Sequence, residues 1–535
     1  MSAAILPAAD VIATGRAALG IELGSTRIKA CLVDADDPSR VLATGSHAWE
    51  NRYRQGNWTY ALEDVWTGVQ AAYAALAAEV RSAHGTSIET LAAAGVSAMM
   101  HGYLAFDAEG ELLVPFRTWR NTSTERAAGV LSELLGTNIP LRWSIAHLYQ
   151  AVLDEEDHIP DLHSFTTLAG YVHERLTGRR VLGIGDASGM FPIDVATRDY
   201  DADMMAKFDR LVAERAPGLE LRGLLPDVLV AGEPAGELTP EGAALLDPSG
   251  TLRPGVLFCP PEGDAGTGMV ATNSVAPRTG NVSAGTSIFA MVVLEGPLRR
   301  AHEELDLVTT PAGDLVAMVH CNNGASELAA WVGLFERFAA IAGGTLHPDE
   351  VFEALFVESL DGSPDAGGLL AYNHLAGEPI AGLSEGRPLV VRTPDSRLTL
   401  ANFMRAQLYG VFGTLALGMR VLAEEGVELD RMYAHGGVFR TAGVAQRFLA
   451  GALDAPVAVA ATASEGGAWG IAVLAAFAAD PAGGPIDRFL TDRVFAQTEF
   501  DSIDPDPEDV PGFAAYLTRY RAGLAIEHAA ISATP

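Results

Sequence analysis

One short pattern occurs twice in this chain: an apolar strand that runs directly into a turn of glycine, serine and threonine. The first copy is Gly20-Ile-Glu-Leu-Gly-Ser-Thr26 and the second is Gly280-Asn-Val-Ser-Ala-Gly-Thr-Ser287. A second strand-like run, 28–34, follows the first copy with no room for a helix, so the pattern predicts a tight hairpin. Glycine lets the backbone approach an anion closely, and exposed N–H groups and hydroxyls can hold phosphate oxygens. Two such turns indicate two related halves that close on one nucleotide.

Either turn on its own is also consistent with an ordinary hairpin, because Gly-Ser and Gly-Thr turns are common. Neither copy has the Gly-x4-Gly-Lys-Ser/Thr spacing of a P-loop. Neither has a Gly-x-Gly-x-x-Gly segment that follows a strand and opens a helix. The prediction of nucleotide binding therefore depends on the pair.

Composition excludes several classes of partner. The 535 residues are 49% apolar and 19% charged, which is typical of a large globular protein with more than one domain. The net charge of −32 predicts no nucleic acid and no anionic membrane as partner. The most apolar helical stretch, 468–479, is too short to span a bilayer. Three widely separated cysteines without metal-ligand spacing predict neither a disulfide framework nor a zinc site, and a reducing cytoplasm fits them.

Helices and strands alternate along both halves. Helical periodicity over 61–82 is followed by a buried strand over 91–99, which ends at Met99-Met100-His101-Gly102. Ligands of open α/β sheets bind at the carboxyl ends of the strands, so this segment is a candidate site. The second half repeats the order, with a long helix over about 400–426 and a strand that runs into His435-Gly436-Gly437. The pattern predicts an α/β protein whose halves match in layout.

From Ala17 to about Asp480 these motifs resemble the FGGY carbohydrate kinase family, within the actin/hexokinase-like ATPase superfamily. The two phosphate loops of that family are similar to Gly20–Thr26 and Ser283–Ser287. The family's catalytic segment Gly-Gly-Asp-Asn is similar to Glu262-Gly263-Asp264-Ala265, and its adenosine segment Gly-Gly-Gly-x-x-Ser is similar to 436–441.

Two further motifs resemble the sugar-binding segments of the family. The xylulokinase-like Gln-Met-His-Gly is similar to Met99-Met100-His101-Gly102, and Trp-x-Asp is similar to Trp119-Arg120-Asn121. Six motifs in the right order make a chance resemblance improbable. Four of them contain departures from the family pattern, which bear on the metal and on the substrate.

The resemblance implies two actin-like, ribonuclease H-like α/β domains with a central cleft. Residues 1–275 would form the N-terminal domain with the sugar-binding side and the first phosphate loop, and residues 276–535 the C-terminal domain with the second loop and the adenosine site. The implied function is ATP-dependent phosphorylation of a sugar hydroxyl, with a ketopentose such as xylulose or ribulose as first choice. Kinases of another ketose, a polyol or a sugar acid are alternatives, and so is an actin-like ATPase regulator without a sugar acceptor. ATP and Mg²⁺ are the implied cofactors, and a homodimer is compatible with the resemblance.

The resemblance also assigns roles to individual residues. Asp264 is the expected general base and contacts the sugar together with Met100, His101, Trp119 and Asn121. Glu22 is the expected metal ligand, acting through water. The expected ATP-binding residues are Gly24, Ser25, Thr26, Gly285, Thr286, Ser287, Gly436, Gly437 and Thr441.

Departures and alternatives leave some of these roles open. Glu22 replaces the family's aspartate, and the changes at Met99, Asn121 and Ala265 bear on the sugar pocket. The alternative for Glu22 is a salt bridge to Lys29 across the hairpin. The alternative for the base is that its carboxylate caps a helix beginning at residue 265, a role that Asp fills well. The histidine and tryptophan of the sugar-binding motifs are alternatively packed core residues.

Overall fold

The computed structural model describes residues 6–54, 56–344, 347–460 and 466–534. The chain forms two compact units. The first comprises Met1–Val275, Leu307–Val316 and Ala463–Gln497, and the second comprises Ala276–Asp306, Ala317–Thr462 and Thr498–Pro535. The longest segment of the first unit therefore ends at residue 275, and two later segments of the chain also belong to that unit.

The first unit is built on a mixed β-sheet. Its strands lie in the order Val41–Ala48, Arg27–Asp34, Ala17–Leu23, Ala93–Ala98 and Leu257–Phe258. The first three are antiparallel neighbours, and the last three are parallel. The predicted hairpin is therefore present, and the predicted buried strand lies parallel to its first arm.

Two long helices pack against this sheet on residues that the sequence pattern places inward. The helix Leu62–His84 lies on the strand Val41–Ala48 and ends at Gly85, whose φ of 66° suits a glycine. The amphipathic stripe predicted over 61–82 thus faces the sheet.

The helix Gly467–Ala479 packs on the strands Ala17–Leu23 and Ala93–Ala98. Eleven of its 13 residues are buried, in keeping with a helix that is apolar on all sides. Gly20 allows the close approach, because a side chain there would collide with the carbonyl oxygen of Ala468. A C-terminal helix thereby becomes part of the core around the first loop.

The remaining elements of the first unit are short. Its other helices are Ala8–Ala13, Glu125–Leu135, Ser144–Leu153, Leu168–Thr177, Ile184–Ala187, Ala202–Val212, Leu221–Leu224, Pro240–Leu246, Asp264–Ala271 and Ile486–Phe489. Its other strands are Arg52–Arg54, Asn57–Thr59, Leu104–Phe106, Ser164–Thr166, Val181–Gly183, Ile193–Asp194, Asp199–Tyr200, Asp227–Leu229 and Glu262–Gly263. The last of these continues beside Ser97 and Ala98, which brings the segment before Asp264 to the sheet.

The second unit repeats the arrangement of the first sheet. Its strands lie in the order Leu315–Cys321, Ile288–Val293, Thr279–Ala284, Arg431–His435, Val457–Ala460 and Phe500–Ile503. Thr279–Ala284 forms an antiparallel hairpin with the strand after it and a parallel pair with Arg431–His435, as the corresponding strands of the first unit do. The α/β layout with two related halves is confirmed.

Helices and short strands complete the second unit. They are the helices Ser326–Ile341, Pro348–Glu358, Leu400–Glu425, Val444–Leu453 and Asp509–Ala533, and the strands Leu370–Tyr372 and Leu389–Val391. The strand Asp306–Thr309 falls on the boundary between segments of the two units. The 26-residue helix Leu400–Glu425 is long and apolar enough to cross a membrane by length and composition, but 78% of its apolar window is buried inside the fold. That burial is typical of a central core helix.

Candidate active site

The first Ser/Thr turn connects the antiparallel strands Ala17–Leu23 and Arg27–Asp34. It closes with a hydrogen bond from the N–H of Gly24 to the carbonyl oxygen of Arg27 at 3.1 Å. Ser25 is half-buried and Thr26 is exposed. The turn thus presents a serine and a threonine at the end of a rigid hairpin, as predicted.

Two aromatic residues, which the sequence did not single out, hold this turn from behind. The indole N–H of Trp49 donates to the carbonyl oxygen of Gly24 at 2.7 Å, and the hydroxyl of Tyr60 donates to that of Ser25 at 2.6 Å. The backbone N–H of Trp49 donates to the carbonyl oxygen of Thr26 at 3.1 Å. The two rings stack at 4.1 Å. Because three successive carbonyl groups are bound to the protein, the turn has a fixed orientation.

A Tyr60→Phe variant tests this support. We expect it to keep the stacked ring but lose the hydrogen bond to Ser25, which costs about 1 kcal/mol of unfolding free energy. If the turn binds ATP, the KM for ATP should rise more than the KM for the sugar. Tyr53→Phe is the matched control, because that ring is 63% exposed on the neighbouring hairpin. Equal KM values for the two variants would contradict the supporting role.

The second turn is held in a comparable way within its own unit. The N–H of Gly324 donates to the carbonyl oxygen of Thr286 at 2.7 Å, and the N–H of Ala325 donates to that of Gly285 at 2.8 Å. Gly285 and Thr286 are exposed, and Ser287 is half-buried. In both turns, carbonyl oxygens are therefore hydrogen-bonded within the protein. The N–H groups and hydroxyls of the turn residues suit an anion.

The structure also brings the predicted adenosine segment beside the second turn. Ser283 lies opposite His435 in the parallel pair, so Gly436 and Gly437 follow directly next to the turn. Gly436 has a φ of 115°, and a side chain there would collide with the carbonyl oxygen of Ala284. Glycine is required at this position. Thr441, at the end of the short turn that follows, is 8% exposed.

Asp264 contacts the segment predicted to bind the sugar. It is the first residue of the helix Asp264–Ala271, and its Oδ1 accepts the N–H of Met100 at 3.1 Å. Desolvation by the surrounding protein raises the pKa of Asp264, while N–H groups of Met100 and Ala265 oppose that rise. The residue retains exposure to solvent. Asp264 is thus the first residue of the helix, whose cap position is Gly263 without a side-chain cap, so it does not cap a helix beginning at residue 265 as the alternative expected. Its carboxylate is hydrogen-bonded to the end of the strand segment at Met100.

The neighbouring histidine is held in a definite orientation. His101 is 5% exposed, has a φ of 69°, and its Nδ1 lies 3.3 Å from the carbonyl oxygen of Gly189. Its ring lies parallel to that of Trp143 at 6.3 Å. A positive φ at a non-glycine residue is unusual and often marks a functional position.

The other two predicted sugar ligands follow Arg117, which forms an antiparallel bridge with Tyr103. Asn121 is buried, and its side-chain oxygen accepts the N–H of Trp58 at 2.8 Å while its amide donates to the carbonyl oxygen of the same residue. Trp119 is half-buried and packs against the hydrophobic core. Both residues therefore have a structural role, and a contact with the sugar stays a prediction for each.

Glu22 has several neighbours within the first unit. Its Oε2 lies 4.0 Å from Nζ of Lys29, so the cross-hairpin ion pair of the alternative interpretation is present. Burial raises the pKa of Glu22 to about 7, and the negative charge of Asp264 adds to the rise. Lys29 and the N–H of Ala468 oppose it. Glu22 thus interacts with Lys29 of the first hairpin, with the charge of the predicted base and with the N–H of Ala468 in the helix Gly467–Ala479.

A second pair of acids lies behind Asp264. Glu262 is 2% exposed, and its oxygens accept the N–H groups of Gly185 at 3.3 Å and Asp186 at 3.0 Å. Asp186 is fully buried and accepts the hydroxyl of Thr167 at 2.6 Å. Burial raises the pKa of Glu262 to about 8 and that of Asp186 to about 7. The pair connects the segment carrying the base to the turn that contacts His101.

This pair predicts a pH-dependent stability. When folding raises the pKa of a carboxyl group, the folded protein loses stability at any pH at which that group would be ionised in the unfolded chain. Wild-type stability should therefore fall as the pH rises from about 4.5, the ordinary pKa of a glutamate, to about 8, the pKa of Glu262 in the folded protein. We expect Glu262→Gln to flatten that fall. The measurement is the unfolding free energy of both proteins across this range. Parallel curves would contradict the assignment of a neutral, buried Glu262.

The segment His320–Asn323, to which the sequence assigned no role, has a structural one. The side chain of Asn323 donates to Glu378 at 3.0 Å and accepts the N–H groups of Leu375 and Ala376. The ring of His320 stacks on Phe289 at 6.4 Å. These contacts hold the loop before Glu378 against the segment that follows Asn323, whose N–H groups bond the second turn.

A repeated sheet with one Ser/Thr turn in each unit and a carboxylate at a helix start is typical of phosphoryl-transferring enzymes of the α/β class. Comparison with known proteins agrees. Residues 17–251 match the N-terminal domain of the FGGY family of carbohydrate kinases, and residues 280–479 match its C-terminal domain. The chain belongs to the FGGY family of carbohydrate kinases. It is a sugar kinase, and the family implies ATP as phosphoryl donor.

Individual relatives are distant. The chain is similar to the xylulose kinase of Haemophilus influenzae, with 22% identity over 432 residues, 78% of this chain and 82% of that protein. In fold it is similar to the xylulose kinase of Rhodospirillum rubrum, with a TM-score of 0.75, 21% identity, and 96% and 99% of the two chains covered. The gluconate kinase of Lactobacillus acidophilus gives a TM-score of 0.76, 15% identity and the same coverage. The actin-like sugar kinase fold predicted from the sequence is confirmed.

Proposed function

We propose that this protein transfers the γ-phosphoryl group of ATP to the terminal primary hydroxyl of a ketopentose such as xylulose or ribulose. The observation that carries the proposal is the 3.1 Å hydrogen bond between Asp264 and the N–H of Met100. It joins the expected base to the Met100-His101-Gly102 segment, whose sequence is the xylulokinase-like variant. The xylulose kinase relative supports the same substrate class.

Asp264 is the group that we expect to take the proton of the attacking hydroxyl. Its pKa is raised, which makes the carboxylate a better base than an ordinary aspartate. His101, fixed by Gly189 and Trp143, would orient a second hydroxyl by hydrogen bonding. Proximity and orientation supply much of the rate of phosphoryl transfer, because its transition state is loose.

We further propose that both Ser/Thr turns bind phosphate oxygens of ATP. Their carbonyl oxygens are tied back by Trp49, Tyr60 and the Gly324-Ala325 segment, so the anion would meet N–H groups and hydroxyls instead. The segment Gly436–Gly437 lies beside the second turn, where the adenosine moiety is proposed to bind. Thr441 is assigned to the same site.

Glu22 is proposed to hold Mg²⁺. The fit rests on its surroundings: an oxygen donor whose pKa is raised by burial and by the charge of Asp264 would be stabilised by a nearby dication. Magnesium keeps several waters and needs only one or two carboxylates besides the phosphates. When bound, the ion would neutralise charge on the phosphoryl oxygens.

A sugar acid or a polyol is the second candidate substrate. It is favoured by the gluconate kinase, which matches the fold as well as the xylulose kinases do. The departures at Met99, Asn121 and Ala265 also lie in the predicted sugar pocket. We also infer a reducing cytoplasm as the site of action, because the three cysteines are buried free thiols.

A coupled ADP-release screen tests the proposal. Pentuloses, hexuloses, polyols and sugar acids would be offered at equal concentration with Mg-ATP, and kcat/KM compared. The expected result is the highest kcat/KM for a pentulose. A sugar acid or polyol in first place would establish the second candidate instead, and ATP turnover that no acceptor stimulates would contradict both.

A further inference from the structure

The two segments predicted to bind the sugar are tied to each other by the backbone. The segment 100–102 is followed by Tyr103, and Trp119 and Asn121 follow Arg117. The N–H of Tyr103 donates to the carbonyl oxygen of Arg117 at 2.8 Å, and the N–H of Arg117 donates to that of Tyr103 at 3.2 Å. A displacement of this pair would therefore displace both segments.

The side chains of the same pair belong to a polar cluster. The hydroxyl of Tyr103 lies 2.9 Å from Nε2 of His158, and Nδ1 of that ring lies 3.3 Å from Oε2 of Glu156. Arg117 forms an ion pair with the same oxygen, and its guanidinium lies 5.5 Å from the centre of the Tyr103 ring. We call these four residues the support network.

The support network is buried around a charged pair. Tyr103, His158 and Arg117 are buried, whereas the side chain of Glu156 is 28% exposed. Hydrogen bonding to His158 and to Arg117 lowers the pKa of Glu156 to about 2, although partial burial opposes the fall. Glu156 is therefore a carboxylate near neutral pH, and a buried guanidinium needs such a partner. A neutral His158 with its proton on Nδ1 can donate toward Glu156 and accept the hydroxyl of Tyr103.

The helix Ser144–Leu153 contacts the first of the two segments. The ring of Trp143, directly before this helix, lies parallel to the ring of His101. The hydroxyl of the first helical residue donates to the carbonyl oxygen of Gly102. One turn later, the ring of His147 faces the tyrosine of the support network, with 6.5 Å between ring centres. Three successive residues thus contact one helix, and the network connects the last of them to the second sugar-binding segment.

We propose that Glu156 is a positioning residue for the sugar, which acts through His158 and Arg117 to hold Tyr103 and the neighbouring His101 in place. The binding of sugar at His101 rests on the proposed function, whereas the network itself does not. His101 has a φ of 69°, and a strained backbone persists only where its surroundings impose it. Accurate positioning matters because a displacement of about 1 Å can cost about 10²-fold in rate.

Glu156→Gln tests the proposal in the full-length chain. Glutamine keeps the length of the side chain but removes the charge that Arg117 and His158 contact. With xylulose and Mg-ATP, we expect kcat/KM for the sugar to fall about 10- to 100-fold, while the KM for ATP stays unchanged. Glu155→Gln is the matched control and should keep the wild-type values, because Glu155 is 81% exposed and its ion pair with Arg215, at 3.7 Å, lies outside the network.

A second variant tests whether the residues act as one unit. Tyr103→Phe keeps the ring next to Arg117 but removes the hydroxyl that His158 contacts. Residues of one network have non-additive effects. The fall in kcat/KM for the double variant Tyr103→Phe/Glu156→Gln should therefore be much smaller than the product of the two single falls. Single falls that simply multiply would overturn the shared network.

Hydrogen exchange of the ligand-free protein tests the positioning without any sugar. In Glu156→Gln we expect faster exchange than in wild type for peptides within 100–121, and unchanged exchange for the helix Leu400–Glu425. Unchanged exchange in 100–121, an equal rise in both regions, or an unchanged kcat/KM for xylulose in an active enzyme would overturn the proposal. If the wild type leaves xylulose unphosphorylated, the proposed substrate fails, and the exchange comparison still decides whether Glu156 holds the segment.

Discussion

Asp264→Asn is expected to lower the turnover number for sugar phosphorylation by about 10²- to 10⁴-fold, the usual size of a general-base contribution. The amide retains the shape and can still accept the N–H of Met100, which the carboxylate accepts at 3.1 Å, but it cannot take a proton. ATP binding should survive, because Asp264 is not among the residues proposed to bind the nucleotide. Single-turnover rates and an equilibrium nucleotide titration measure the two effects.

The matched control is Asp201→Asn. Asp201 also stands at the start of a helix, where its side chain caps the N–H of Met204, and asparagine caps a helix as well as aspartate. This variant should retain wild-type turnover. A loss of less than about tenfold at Asp264 would reject its role as base, since general-base effects are larger.

The paired hairpins show what the sequence can predict in this fold. Alternating apolar runs that end in Gly-Ser/Thr turns predict both hairpins. Local alternation determines which side chains lie on which face of a strand, and glycine permits the turn. The two long helices predicted over 61–82 and about 400–426 likewise end close to their predicted bounds, at Gly85 and Gly426, both of which have a positive φ. These features depend on neighbours in the chain.

The supports of the candidate site depend instead on contacts far apart in the sequence. Trp49 and Tyr60 read as ordinary aromatic residues until the sheet places them behind the first turn. Asp186 and Glu262 are 76 positions apart yet share a hydrogen bond. The signal in the sequence was Glu262, an acidic residue in the apolar segment before Asp264, because a buried acid needs polar partners.

Asn121 illustrates the opposite case. Its place in a sugar-binding motif predicts a ligand, and in the structure the side chain also bonds the backbone of Trp58 on a separate strand. An amide side chain suits both tasks, since it offers one acceptor and two donors. Only its surroundings distinguish them.

Glu22→Gln should raise the Mg²⁺ concentration needed for half-maximal activity by far more than it raises the KM for the sugar. Glutamine keeps the length and one acceptor oxygen for the N–H of Ala468, so the packing of the helix Gly467–Ala479 should persist. It removes the charge that a hard dication requires. The measurement is a magnesium titration at saturating sugar and ATP.

The comparison with Lys29→Met separates the metal from the ion pair. The Lys29 ammonium lies 4.0 Å from Glu22, and the lysine is about one-third exposed, so removing it costs only about 0–1 kcal/mol of stability. If Glu22 holds the metal, Lys29→Met should leave the magnesium requirement unchanged or lower it, because the competing cation is gone. If Glu22 serves only the ion pair, both variants lose a little stability and neither alters the titration. A raised magnesium midpoint in Glu22→Gln, together with an unchanged or lowered midpoint in Lys29→Met, would therefore assign the carboxylate to the metal.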